Sequence, residues 1–420
     1  MAVALASTAG AQGMEGMAMD STHGSHAWSV GAQAIGLGRR VSPAYGGRAY
    51  TEGYVTQPAV MAHGRLLDGR FTVAATLNLE GLTLRRGELD PGIYGEGYVD
   101  RRHPHTYAHE LVVSAVDVLG TMDGAGVLSL SAGRGFVPFG TDDPMVRPLV
   151  AYPVNHHLAQ ILERQVAIAG YRVGPLLVEA ALFDGDEPAG PGAAPEWRRF
   201  GDSHAERATV YVGRSVEVQA SHAFVASPEF AAGAGPDQRK WSASARYERQ
   251  GRYAMAEWAH TQELDGGRHT FAFRSVLAEA AADRGAWRLA VRGERTVRPE
   301  EERLLDPFRS ERPHSDFNIL GTTRWTVATA GLSHRLDIAS LRLRPFAEAA
   351  RAHAVPVTRP TVFYPAAFYG SDTLWSLSLG VKAEVGTIHP RMGRYGAADL
   401  HRPHGGAVGG NDPHHDPQVH

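Results

Sequence analysis

The chain contains no cysteine. A disulfide framework, a thiolate zinc site and a cysteine nucleophile are therefore excluded together. No apolar run reaches the length of about 18 residues that a membrane-spanning helix needs, once the first dozen positions are set aside. Neither sign of charge dominates. The 42 Lys+Arg stand against 45 Asp+Glu, a net charge of -3, which removes the basic face of a general nucleic-acid binder. G-x-S-x-G, H-E-x-x-H, a Walker A loop and a dinucleotide fingerprint behind a strand are all missing, so the chain is not read as an enzyme. The lack of an internal repeat disfavours a propeller or a solenoid. Helical periodicity is nearly absent too, and its best candidate, His157 to Val166, reads equally well as a strand.

What the sequence does have is glycine, 48 of 420 residues, and histidine, 21 of 420 and unevenly spread. It also has period-two alternation along most of its length. Phe71, Val73, Ala75, Leu77 and Leu79 share one face. Trp241, Ala243, Ala245 and Tyr247 do so further on, as do Trp287, Leu289 and Val291 opposite Arg288, Arg292 and Glu294. Trp375, Leu377, Leu379, Val381, Ala383 and Val385 form another such row. A strand places successive side chains on opposite faces, so each segment has one apolar and one charged face. A β-sandwich and a lipid-facing barrel share that local pattern. The connections separate them.

Sixteen candidate strands lie near 27–38, 50–63, 70–84, 107–120, 126–137, 159–173, 176–184, 206–212, 215–226, 240–249, 252–264, 268–281, 287–297, 319–336, 341–353 and 373–386. The second is the weakest, because Pro58 interrupts it. Tight turns such as Asp123-Gly124, Gly174-Pro175 and Gln250-Gly251 alternate with long polar loops at 85–106, 138–158, 185–205, 227–239, 298–318 and 354–372; only 265–267 is short in a long place. Short–long alternation marks an outer-membrane barrel with short periplasmic turns and long extracellular loops. The expected fold is all-β: a single closed antiparallel transmembrane β-barrel of about sixteen strands, with fourteen as the alternative. Aromatics near strand ends (Trp28, Tyr107, Tyr171, Trp241, Tyr253, Trp258, Trp287, Trp325 and Trp375) are expected to form an interfacial girdle.

The division expected along the chain is a signal-peptide remnant at 1–11, a Met/His-rich flexible segment at 12–26, the barrel at 27–386 and a disordered His/Gly/Pro-rich tail at 387–420. The remnant rests on Ala9-Gly10-Ala11 before Gln12, a small-residue cleavage pattern without the usual charged start.

Four groups carry chemistry. Met14, Met17, Met19, His23 and His26 lie within GMEGMAMDSTHGSH; thioethers suit Cu(I) and imidazoles Cu(II) or Zn. His389, His401, His404, His414, His415 and His420 populate the tail as loose chelators. In DRRHPHTYAHE, His103, His105 and His109 precede Glu110. In an extended chain His105 and His109 share a face and Glu110 points away. The pair can ligate a metal or form a hydrogen-bonded lumen pair, and the second reading is preferred. Asn155, His156, His157, Glu163 and Arg164 follow the loop GTDDPMVRPLVAYPV. Ser221 and His222 offer the residue types of a phospholipase-like barrel, without its motif.

On these grounds the chain resembles bacterial outer-membrane barrels of porin type. Its N-terminal Met/His segment is similar to the copper-resistance protein B family, which implies copper binding in the periplasm and metal tolerance. The blocks GEGYVDRRHPHTYAHE, FGTDDPM, YPVNHH and RPHSDFNILG are similar to uncharacterised outer-membrane proteins. The expected function is a porin-like channel for small polar solutes or ions, in the bacterial outer membrane with both termini periplasmic. The alternatives are a copper- or divalent-metal-binding tolerance protein on a barrel platform, and a phospholipase-like enzyme. No cofactor is required, Cu or Zn being the candidate ions. Expected partners are membrane lipid, small solutes or metal ions, no nucleic acid, and further copies of the chain in a homo-oligomer.

Overall fold

Period-two alternation over so many segments leaves every second side chain on one face, and a sheet that buries only one face closes on itself to remove its edges. In the computed structural model the described residues are 27–83, 105–121, 125–141, 143–188, 190–194, 197–228, 233–301, 319–357, 361–388 and 391–401. The strands are β1 (Ala27–Ser42), β2 (Tyr50–Leu66), β3 (Phe71–Asn78), β4 (Ala108–Thr121), β5 (Gly126–Gly135) and β6 (Arg164–Val173). Next come β7 (Leu176–Phe183), β8 (Ser203–Val212), β9 (Val216–Val225), β10 (Asp237–Arg249), β11 (Arg252–Asp265) and β12 (Arg268–Arg284). The wall is completed by β13 (Trp287–Glu301), β14 (Ile319–His334), β15 (Leu336–Ile338), β16 (Leu341–Pro356) and β17 (Thr373–Gly386).

Each strand pairs antiparallel with its sequence neighbours, β14 and β15 excepted, and β1 pairs with both β2 and β17, which closes the sheet. β14 and β15 both pair with β16, so they form one broken stave of a sixteen-stave barrel. The sixteen expected segments are therefore present. Connections at one end are short (67–70, 122–125, 174–175, 213–215, 250–251, 285–286 and 339–340). Those at the other end are longer, 266–267 excepted. β1 starts and β17 finishes at the short-turn end, where Gly31 lies opposite Gly386.

Burial is inverted relative to a soluble protein. Outward residues are apolar and exposed: Leu289 56%, Val276 57%, Leu379 60%. Inward residues are buried and many are polar or charged, including Arg207, Gln219, Glu257, Glu279, Arg292 and Glu294, beside apolar ones such as Met255 and Leu277. A water-facing sandwich would show the reverse. This arrangement needs an apolar medium outside.

Three local expectations are revised. The segment 70–84 is strand only to Asn78; Glu80–Thr83 forms a helical turn that directs Glu80 inward. There Glu80 accepts hydrogen bonds from Thr56 Oγ1 (2.6 Å) and Gln57 N (2.9 Å). Those bonds hold Gln57, at φ 50°, in a bulge where Gln57 and Pro58 together face β1. The proline thus falls at a bulge, one of the places where a strand tolerates its missing N–H. Residues 159–163 are not strand: Ala159 ends a helical turn, His156–Ala159, and 160–163 are loop. Of the expected girdle, Trp28, Tyr171, Trp258, Trp287 and Trp375 do face outward, but Tyr253 (7%) and Trp325 (0%) point into the barrel.

If the outward face meets lipid, Val276, near the middle of β12, tolerates charge poorly. Val276→Arg should cost about 2–4 kcal/mol of stability in denaturant unfolding from lipid vesicles. A cost below about 1 kcal/mol would place Val276 outside the apolar band.

Candidate functional site

Among the described residues, two segments of the chain itself lie in the lumen. The first is 136–163, the connection from β5 to β6. Its sequence carries Phe139, Met145, Leu149 and Val154, too apolar for a solvated loop, and all four are buried. It crosses the interior and docks on inward carboxylates of the opposite wall. Glu348 of β16 accepts from Val150 N (2.6 Å) and Ala151 N (3.0 Å). Glu294 of β13 accepts from Val154 N at 2.7 Å. Glu257 of β11 accepts from Thr141 Oγ1 (2.6 Å) and Asn155 Nδ2 (2.7 Å). Arg292 returns donors to the carbonyls of Ala151 (2.9 Å) and Tyr152 (3.0 Å). Gly140, at φ 71°, sits where the two limbs of this loop cross: a Cβ there would meet the Ala159 carbonyl oxygen at 1.7 Å.

The second segment is 391–401, at the start of the tail. The tail was expected to lack structure, and 391–399 instead lies packed inside the barrel. Arg391 pairs with Glu217 at 2.7 Å, near the short-turn end. Tyr395 reaches deepest, its hydroxyl donating to Glu110 (2.7 Å) and accepting from Phe136 N (3.0 Å). The chain then returns: Ala397 N donates to Ser129 Oγ (2.8 Å), and Asp399 meets His63 Nε2 at 3.1 Å. Glycine and alanine in RYGAAD let this hairpin lie against the wall. Burial and the neighbouring guanidiniums of Arg207 and Arg391 bring the Arg394 pKa down to about 10, so it stays cationic at neutral pH.

The predicted histidine group divides. His103 lies outside the described residues. His105 and His109 converge, and both are buried. Glu110, expected to point the other way, also faces inward. The reason is a bulge: Thr76 pairs with Glu110 and Leu77 with Ala108, which leaves His109 as the extra residue. His109 and Glu110 thereby enter the lumen side by side but serve different networks. Glu110 holds Thr76 (3.0 Å) and Tyr395. The histidines take Glu163, read in the sequence as part of a separate group. His105 Nδ1 lies 3.1 Å from Glu163 Oε1, His109 Nδ1 contacts the same oxygen, and Thr106 N donates to both carboxylate oxygens at 3.1 Å. Burial opposes the Glu163 charge, yet the two imidazoles outweigh it and hold the carboxyl well below the usual range. The rest of that group scatters: Asn155 goes to Glu257, the His156 ring packs on Tyr152 at 5.1 Å, and Arg164 pairs with Glu187 at 3.2 Å.

Met14, Met17, Met19, His23, His26, His404, His414 and His415 lie outside the described residues, as do His389 and His420. Of His401 only the backbone is described. Ser221 and His222 occupy opposite faces of β9. Ser221 Oγ accepts from Gly140 N in the lumen at 3.0 Å, while His222 lies outside beside Glu206 at 3.1 Å. The pair cannot act together, which removes the basis of the phospholipase-like reading. The lumen carboxylates Glu257, Glu294 and Glu348 were not singled out from the sequence; their signal was a charge on an otherwise small, alternating face.

No family model matches the chain, and no curated protein sequence does. Among solved structures it is similar to OmpT, an outer membrane protein of Vibrio cholerae in its trimer form. That match has a TM-score of 0.50 at 7% identity, over 87% of this chain and 100% of that one. The anion-selective porin from Comamonas acidovorans gives 0.49 at 10% identity, over 86% of this chain and 100% of the porin. OprB of Pseudomonas putida gives 0.49 at 11%, over 86% and 94%. The likeness to OmpT is one of fold.

Behind Glu163, the loop after β7 carries a second acidic cluster. Burial pushes Asp186 up to about 6, against the pull of Arg164 and Arg199. A carboxyl raised in the folded state binds its proton more tightly there than in the unfolded chain. Its contribution is complete below about pH 4 and is lost as pH rises through about 6. Protection of segment 184–202 from protease should therefore weaken over that interval. Asp186→Asn should flatten the dependence; an unchanged profile in the variant would assign it to another group.

Proposed function

We propose that the protein is an outer-membrane channel of porin type for small polar solutes or ions. The observation that carries the reading is the inverted burial of a closed sixteen-stave wall, apolar outside and charged within. A barrel of this strand number is wide enough to leave an aqueous path. The inward residues are of both signs and largely paired, as in Arg207–Glu179 at 2.7 Å and Arg292–Glu294 at 2.8 Å. Paired charges favour weak ion selectivity. In this reading both termini are periplasmic, and the partners are lipid, small solutes and, as in the trimer form described for OmpT, further copies of the chain.

The path is narrowed from both ends, by 136–163 from the long-loop side and by the tail hairpin from the short-turn side. The hairpin is held by a few polar contacts and buries little beyond Met392, Tyr395, Ala397 and Ala398 as apolar surface, so it is the more easily displaced. Planar-bilayer recording tests the reading, and folded protein without any conductance would reject it. Tyr395→Ala removes the hydroxyl shared by Glu110 and Phe136 N and should raise the single-channel conductance. Unchanged conductance would place the hairpin off the conducting path.

The convergence of His105, His109 and Glu163 supports the metal-tolerance alternative.

A further inference from the structure

We propose that His105, His109 and Glu163 form a binding site for one divalent transition ion, of Zn²⁺ type, inside the barrel wall. Each residue offers one ligand atom, and the three lie within 4.8 Å of one another; the Nδ1 atoms of His105 and His109 both face Glu163 Oε1. Zinc bonds of about 2.0–2.2 Å in tetrahedral geometry place neighbouring ligand atoms roughly 3.3 Å apart. His105 Nδ1 and Glu163 Oε1 already stand at 3.1 Å.

Three features distinguish this cluster from an ordinary hydrogen-bonded lumen pair. First, Glu163 Oε1 faces three nitrogens at once: His105 Nδ1, His109 Nδ1 and Thr106 N. An oxygen with two lone pairs is crowded by three N–H donors. An ion between the two imidazoles and the carboxylate replaces two of those protons and relieves the crowding. Second, Glu163 is held at φ 58°, a left-handed conformation that a glutamate adopts at a cost. That conformation aims its carboxylate back at the histidines. Third, the carboxylate is oriented by a donor of its own, since the Thr106 amide donates to both Glu163 oxygens. The ligand types fit the ion: two imidazoles and one carboxylate, with no sulfur, suit Zn²⁺ or Cu²⁺ rather than Cu(I). The protein supplies three ligands, which leaves a fourth position for water or a solute group.

The three residues belong to neither the Met/His-rich segment at 12–26 nor the tail at 387–420. The site joins the start of β4 to the start of β6, at the root of the lumen loop. A bound ion would therefore fasten that loop to the wall. Because it binds the folded state, it would also raise resistance to unfolding.

The test uses the full-length chain folded in detergent, stripped with a chelator, loaded with ZnCl₂ and dialysed against imidazole. Wild type should retain one zinc per chain and resist heat unfolding longer on a gel. Glu163→Gln and His109→Ala should bind zinc at least about 10-fold more weakly, while His401→Ala with His404→Ala should match wild type. Zinc retained equally by folded Glu163→Gln, or none retained by wild type, overturns the site. Should the site variants fail to fold, X-ray absorption on zinc-loaded wild type decides. Two imidazole nitrogens and a carboxylate oxygen at about 2.0–2.2 Å support the site. A shell of oxygen alone, or with one imidazole, refutes it.

Discussion

The structure depends on carboxylates that point inward from the wall and accept main-chain N–H groups from segments lying in the lumen. A connection as long as 136–163, once removed from bulk water, brings a row of backbone donors that need partners. The inner wall offers no strand edge to pair with, because the sheet is closed. Glu294 and Glu348 supply acceptors for those amides, and Glu257 holds the loop through the side chains of Thr141 and Asn155. Hydrogen bonds to a charged partner are shorter and about twice as strong as neutral ones. Three such anchors, on β11, β13 and β16, therefore fix the height and the tilt of the loop. The apolar residues of the loop then settle on apolar patches of the inner wall: Leu149 groups with Tyr253, Met255 and Leu277, Val154 with Trp325 and Val327, and Leu158 with Ala259 and Phe273.

The same device serves the tail through Glu110. That residue is available only because a bulge turns both His109 and Glu110 inward. One extra residue in β4 thus creates two sites. His109 joins His105 and Glu163 at the root of the loop, and Glu110 receives the tip of the tail hairpin. Phe136 stands between them: its ring meets the His109 ring edge-on at 5.2 Å, and its N–H donates to the Tyr395 hydroxyl at 3.0 Å. A shift of the loop root is felt by the tail through this one residue.

Much of the wall was legible in the sequence. Trp287, Leu289 and Val291 against Arg292 and Glu294 gave the period, and the alternation of turns and loops gave the closure. What misled the reading was any element whose geometry departs from two residues per repeat. The bulge at His109 changes parity by one, so Glu110 was placed on the wrong face. Pro58 looked like an interruption because the bulge that accepts it, with Gln57 left-handed and Glu80 beneath, is set by a residue more than twenty positions away. Tyr253 and Trp325 resemble girdle aromatics, yet their parity puts them inside. Trp325 Nε1 donates to Glu300 at 2.9 Å, a partner the outer face would not give it. Glu163 and His105 were named in different groups because 58 positions separate them. No local pattern reports a contact of that kind.

The filling of the lumen also bears on how charge can act there. Nearly every inward guanidinium described above is committed: Arg207 to Glu179, Arg292 to Glu294, Arg391 to Glu217. Each pair has little net field at a distance, so a passing solute meets dipoles more than bare charges. Breaking one contact of a lumen segment changes this locally. When a loop amide leaves Glu348, or the tail leaves Glu217, a carboxylate is uncovered where the path widens. Width and charge in this barrel are therefore not independent, because the same carboxylates that hold the segments in place become the lining when those segments move.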